Sequence, residues 1–198
     1  MGLAILLGIT AGIGAPASAL ADGEASSPPI GTQTISLSAG PIFPIRLTPH
    51  QSSKLFGAAT ALSTAWVVTN PLGSAWYQGR FSLGVGIIGL STSEPVTAYG
   101  ISLTPKLEYR FTGWGRLRPH VEGGGGPIWT DLGGRVPEQP GQFNFLVWTG
   151  AGLSWMLTPR WALTAGFRFM HISNAHLRDP NSGLNVGMPY AALSYSLF

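Results

Sequence analysis

Toward the C-terminal end the chain reads FRFMHISNAHLRDPNSGLN, from Phe167 to Asn185. His171 and Ser173 stand two residues apart in this stretch. An imidazole in reach of a hydroxyl can take its proton, and the hydroxyl then attacks a carbonyl carbon. The same two residues can also be plain polar groups where a strand runs out into a loop. The element that carries them, and the direction it faces, decides between the two. On a β-strand, residues two apart share a face. Odd positions here read Trp161, Leu163, Ala165, Phe167, Phe169, His171 and Ser173. Even positions read Ala162, Thr164, Gly166, Arg168, Met170, Ile172 and Asn174. His171 and Ser173 therefore continue an apolar face, and Arg168 lies on the opposite one.

The whole chain supports a strand at this place. Of its 198 residues, 44% are hydrophobic and only 10% are charged, against about 25% charged in a soluble domain. There are 28 glycines and 7 tryptophans. Few charges with many glycines and tryptophans suit a membrane β-barrel. Cysteine is absent, which excludes a disulfide framework and thiol chemistry. The net charge of +3 comes without a basic patch, so nucleic acid is not an expected partner. No cofactor or metal is expected.

Alternation with period two recurs along the chain, broken by turn residues. From Ala98 to Phe111 the odd positions Tyr99, Ile101, Leu103, Leu107, Tyr109 and Phe111 are apolar or aromatic. The even positions carry Ser102, Thr104, Lys106, Glu108 and Arg110. Segments of this kind cover 32–45, 55–69, 78–91, 96–111, 117–130, 142–157, 160–174 and 187–198. The predicted fold is all-β, an eight-stranded antiparallel transmembrane barrel of the bacterial outer membrane, with a lumen that side chains can fill. TGWG (112–115) and TPR (158–160) read as tight periplasmic turns. The longer connections 48–54, 131–142 and the one after Asn174 read as extracellular loops. His171 and Ser173 then lie at the outer end of strand seven, on the lipid-facing wall. A polar pair there is costly unless it is near the interface or in use.

The charges fit the same scheme. Lys106, Glu108 and Arg110 share one face, as do Arg118, His120 and Glu122 on the next strand. They read as a lumen ion-pair network. The alternative is a metal or acid–base site from His120 and Glu122. The glycines of EGGGG (122–126) read as close strand packing or a bend rather than a phosphate loop. Trp76, Trp114 and Trp161 fall near the inner turns and Trp129 and Trp148 near the outer ends, as two aromatic girdles require.

At the other end, residues 1–21 read as a secretory signal: an apolar run from Leu3 to Ala15 and small-residue cleavage sites around Ala19 and Ala21, though without a preceding Lys or Arg. The barrel is then residues 22–198. The last strand ends in Phe198, which is similar to the terminal aromatic of outer-membrane barrels, although Leu193, Tyr195 and Leu197 have the opposite parity.

HISNA followed by PNSGLN resembles the C-terminal motif of the PagL-type lipid A 3-O-deacylases, eight-stranded outer-membrane enzymes. The close likeness covers about fifteen residues, and a looser one extends over the last four strands. The resemblance implies an esterase that removes the 3-O-linked acyl chain of lipid A in the outer leaflet. It implies Ser173 as nucleophile, His171 as base, and Asn174 and Asn181 as residues that shape the oxyanion site. It departs at the third triad member, where the family's glutamate falls on Asn185. An amide can hold the histidine's tautomer but cannot balance its positive charge. Asp179 in the loop is the nearest carboxylate in sequence. The expected partners are lipopolysaccharide and the membrane, with the barrel single or paired. The competing expectation is a non-catalytic barrel, structural or lipid-binding, that keeps the family's shape.

Overall fold

The computed structural model describes residues 28–47 and 51–198; the expected signal, residues 1–21, lies outside them. The strands are β1 (Gln33–Pro44), β2 (Phe56–Val67), β3 (Gly79–Glu94), β4 (Ala98–Phe111), β5 (Leu117–Thr130), β6 (Phe143–Met156), β7 (Trp161–Ser173) and β8 (Leu184–Leu197). Each pairs antiparallel with its neighbour in sequence, and β1 pairs with β8 to close the barrel. Closure leaves no sheet edge, so every strand can satisfy its backbone in lipid.

Parity divides the residues as the alternation requires. Leu37, Leu62, Leu83, Ile87, Leu103, Leu107, Val121, Leu163 and Phe167 stand exposed on the outer wall. Inside, toward the outer end, Ile42, Leu55, Ile128, Leu146, Met170, Ile172, Leu184 and Val186 form an apolar plug. Deeper in the lumen lies the ion network. Glu122 Oε1 accepts from Arg168 Nε at 2.8 Å and from the Tyr190 hydroxyl at 2.9 Å. Lys106 Nζ sits 3.3 Å from Glu122 and 3.2 Å from Glu108, and Arg110 pairs with Glu108 at 2.7 Å. Of the expected β4–β5 charge set, Lys106, Glu108, Arg110 and Glu122 are joined here, with Glu108 opposite Glu122 in register, while Arg118 donates to the Thr112 carbonyl. Arg168 and Tyr190 complete it from β7 and β8. His120 Nε2 lies 3.1 Å from the Tyr190 hydroxyl, so His120 and Glu122 belong to this network.

Two differences from the sequence reading matter. Trp148 was expected in the outer girdle, but its even position in β6 turns it inward, where it is 4% exposed. Its ring lies under the Arg168 guanidinium, 5.0 Å from centroid to carbon, a cation–π contact. Gly124 makes room for it, since a Cβ there would come 2.9 Å from the indole and 2.4 Å from the Pro105 carbonyl. Second, β8 begins at Leu184 rather than near residue 187. Leu184 and Val186 point into the plug opposite Ile172 and Met170. Burial of those two side chains carries the strand through a stretch whose Asn and Gly read as loop. Asn185 is thereby a strand residue.

Candidate active site

The register of β7 and β8 sets His171 directly opposite Asn185. Both therefore face outward on the same side of the hairpin. Ile172, between His171 and Ser173, is 1% exposed in the plug, and its buried side chain fixes which way its neighbours point. Its carbonyl accepts from Gln139 Nε2 at 3.2 Å. His171 and Ser173 are half-buried at the outer rim, on the lipid side. No hydrogen bond among the described residues engages the Ser173 hydroxyl.

His171 Nδ1 lies 2.7 Å from Asn185 Oδ1. The identity of that oxygen follows from a third residue, Gln51. Gln51 is 2% exposed and reaches Asn185 from the β1–β2 loop. Its Oε1 accepts the Asn185 backbone N–H at 3.0 Å and Asn185 Nδ2 at 3.1 Å. Its Nε2 donates to the Asn185 carbonyl at 3.2 Å and the Ser53 carbonyl at 3.4 Å. A backbone N–H can only donate, so the Gln51 atom facing it is the oxygen. The Asn185 atom facing that oxygen is then the amine, and the one facing His171 is the carbonyl oxygen. His171 Nδ1 must carry a proton, so in the neutral ring Nε2 is the nitrogen with the lone pair.

Gly183 backs the ring. Its φ is +68°, and a Cβ built on it would lie 2.6 Å from His171 Cε1. The left-handed conformation costs a non-glycine residue about 1–2 kcal/mol, and the added methyl would push the imidazole aside. Gly183→Ala is expected to displace the imidazole and lengthen its 2.7 Å contact with Asn185 Oδ1. The check is the nitrogen shifts of 15N-labelled His171 beside an unaltered heat-modifiable gel shift of the barrel.

Asn174 and Asn181 shape the loop that follows. The Asn174 backbone N–H donates to Asn181 Oδ1 at 3.0 Å. Asn174 Nδ2 donates to the Arg178 and Pro180 carbonyls at 2.8 and 3.3 Å. Asn181 Nδ2 lies 3.1 Å from His176 Nδ1. Their amides thus hold the loop on itself. Between them, Ala175 and His176 have φ of +52° and +62°, in a turn closed by Leu177 N–H to the Asn174 carbonyl at 3.0 Å. Two successive left-handed non-glycine residues are unusual. The backbone N–H groups of both carry no hydrogen bond to other described residues. Asp179 is exposed in this loop, and the partner of Nδ1 is Asn185.

The Gln51 segment is itself anchored. Glu138 of the β5–β6 loop is 1% exposed. Its Oε1 accepts the Ser52 and Ser53 backbone N–H groups at 2.6 and 2.8 Å and the Ser52 hydroxyl at 3.0 Å, and its Oε2 accepts the Ser53 hydroxyl at 2.6 Å. Burial pushes this carboxyl up, but the donors on Ser53 and Ser52 outweigh it, and the net pKa lies below the ordinary glutamate value. A folded-state pKa below the unfolded one means the clamp is complete above the ordinary glutamate range and is lost as pH falls through the depressed value. Amide protection at Ser52 and Ser53 is expected to hold through the ordinary glutamate range and to fall as pH drops through the depressed value. Glu138→Gln should show exchange about tenfold faster at neutral pH, with that acid step gone.

Sequence reasoning singled out His171, Ser173 and the asparagine at 185, and the structure brings His171 and Asn185 into contact. It missed Gln51 and Glu138, which lie in loops with no periodicity. Gly183 stood in view beside PNS without a sign of its contact with His171.

The comparisons with known proteins bear on the same region. A family model described as lipid A 3-O-deacylase (PagL) matches residues 51–194. The crystal structure of the outer membrane enzyme PagL is 22% identical, covers 83% of this chain and 99% of its own, and superposes with a TM-score of 0.52. That of Neisserial surface protein A is 14% identical, covers 84% and 99%, and gives 0.62. At these identities both likenesses speak for the fold. No curated protein matches the chain.

Proposed function

The chain belongs to the lipid A 3-O-deacylase (PagL) family, and from that premise we propose that it cleaves the 3-O-acyl ester of lipid A with Ser173 and His171 on the lipid-facing wall. The observation that carries this is the His171–Asn185–Gln51 chain of hydrogen bonds. It leaves Nε2 as a base on the side of the barrel where an outer-leaflet lipid lies, in the same outward row as Ser173.

In this reading Ser173 Oγ attacks the ester carbonyl as His171 Nε2 takes its proton. The tetrahedral oxyanion needs donors, and the backbone N–H groups of Ala175 and His176, which bond to no other described residue, are the groups proposed for it. Asn174 and Asn181 support that turn through the bonds described above. The imidazolium then protonates the 3-O leaving alcohol. Water, deprotonated by the same nitrogen, releases the hydroxyacyl chain from Ser173. Asn185 holds the tautomer throughout but supplies no charge to balance the imidazolium. Its neutrality favours a second reading, a barrel of this shape that binds lipid A without cleaving it.

Mass spectrometry of lipid A from cells expressing the chain separates the two. Loss of one 3-hydroxyacyl chain with the native chain, and none with Ser173→Ala, supports the esterase. Intact lipid A in both, with both barrels inserted and heat-modifiable, supports the second reading.

A further inference from the structure

Resting on the esterase reading above, we infer that Gln51 is a positioning residue for the reaction, selecting the amide orientation of Asn185 and through it the tautomer of His171. A carboxylate at position 185 would need no such residue. Its two oxygens are equivalent, and either accepts from Nδ1–H. An amide has one accepting and one donating end. With its amine toward His171, Asn185 would donate to Nδ1, the imidazole proton would move to Nε2, and that nitrogen would have no lone pair with which to act as base. That is the fault of the tautomer-trapped triads in which an amide replaces the acid.

Gln51 closes off this alternative. All its polar atoms are spent on Asn185 and Ser53: the oxygen on the Asn185 backbone and side-chain N–H, the amine on the two carbonyls. Turning the Asn185 amide over would set its oxygen 3.1 Å from Gln51 Oε1, two acceptors without a proton between them. Turning Gln51 over as well would set its amine against the Asn185 backbone N–H, 3.0 Å away. The backbone of β8 is thus the reference that orients both amides. The site reaches it from loop residues held by the Glu138 clamp on Ser52 and Ser53. Asn185 is therefore compatible with catalysis only together with Gln51.

The test uses the full chain purified in detergent micelles, with 15N-labelled histidine. The forms are the native chain, Gln51→Ala, Gln51→Leu, Asn185→Asp, and Gln51→Ala with Asn185→Asp. Nitrogen shifts of His171 without substrate report the tautomer, and release of hydroxy fatty acid from lipid A gives kcat and KM. The native ring should carry its proton on Nδ1. Both Gln51 variants should move it toward Nε2 and lower kcat roughly ten- to a hundredfold at unchanged KM, the scale of one hydrogen bond choosing between two states. In the double variant the isosteric aspartate should return the proton to Nδ1 and recover most of the rate. A native ring protonated on Nε2, or a tautomer indifferent to Gln51, would overturn the inference. So would a double variant as slow as Gln51→Ala, since Gln51 would then act by loop packing alone. If the native chain releases no fatty acid, the esterase reading fails, and the tautomer spectra still decide the role of Gln51.

Discussion

His171→Ala is expected to lower the release of hydroxy fatty acid from lipid A by roughly 10⁴- to 10⁶-fold, close to the loss from Ser173→Ala. Members of a nucleophile–base pair act as a unit, so removing either costs about as much as removing both. Among the described residues none bonds to the Ser173 hydroxyl, and in its outward row on β7 only His171 carries a basic nitrogen. The loss should appear in kcat, because the imidazole at the rim adds little to the apolar area that holds an acyl chain. Stability should hardly change, since His171 is half-buried and its partner, Asn185, keeps its three bonds to Gln51. kcat on mixed micelles, beside a gel shift on heating, checks both halves. More than a tenth of the native rate in His171→Ala would remove it from the mechanism.

The largest effect on folding is expected inside the barrel. Glu122 is the acceptor shared by Arg168, Lys106 and Tyr190. Its side chain is 2% exposed and that of Arg168 is 8%. Lys106 retains Glu108 if Glu122 is neutralised. Among the described residues Arg168 then retains only the Ser38 hydroxyl at 3.0 Å and the faces of Trp148 and Tyr190. Removing one partner of a buried pair leaves the other charge unbalanced and costs about 3–5 kcal/mol. Glu122→Gln should therefore lose stability on that scale in reversible unfolding from lipid vesicles by urea. Adding Arg168→Met should recover most of it, because a methionine fills the space between Trp148 and Tyr190 without a charge. A Glu122→Gln barrel as stable as the native one would mean that lumen water, not Glu122, balances Arg168.

The sequence was informative where a single period governs. Two-residue alternation located the eight strands, turned Arg168 and the Lys106–Glu122 set inward, and turned His171 and Ser173 outward. It also contained the answer for Trp148, whose even position opposes the girdle that tryptophan usually joins. Its aromatic character outweighed its parity in the reading, although a lumen arginine offers an indole a partner as good as the interface does. At the start of β8 the local signal misled. Asn181, Gly183 and Asn185 look like loop, yet Leu184 and Val186 continue the inward face and extend the ladder. What no local pattern could show is the approach of Gln51 to Asn185. It joins residues 134 apart in sequence and depends on the closing pair β1–β8 and on the loop clamped by Glu138.

The claim at the centre is a covalent one: Ser173 carries the acyl chain during the reaction. A single-turnover incubation of the purified barrel with lipid A, quenched in acid, puts it to the most direct test. Intact-protein mass spectrometry and peptide sequencing should find one 3-hydroxyacyl group on Ser173 in the native chain. Ser173→Ala should carry none and release no fatty acid. Fatty acid released by Ser173→Ala at the native rate would contradict the assignment.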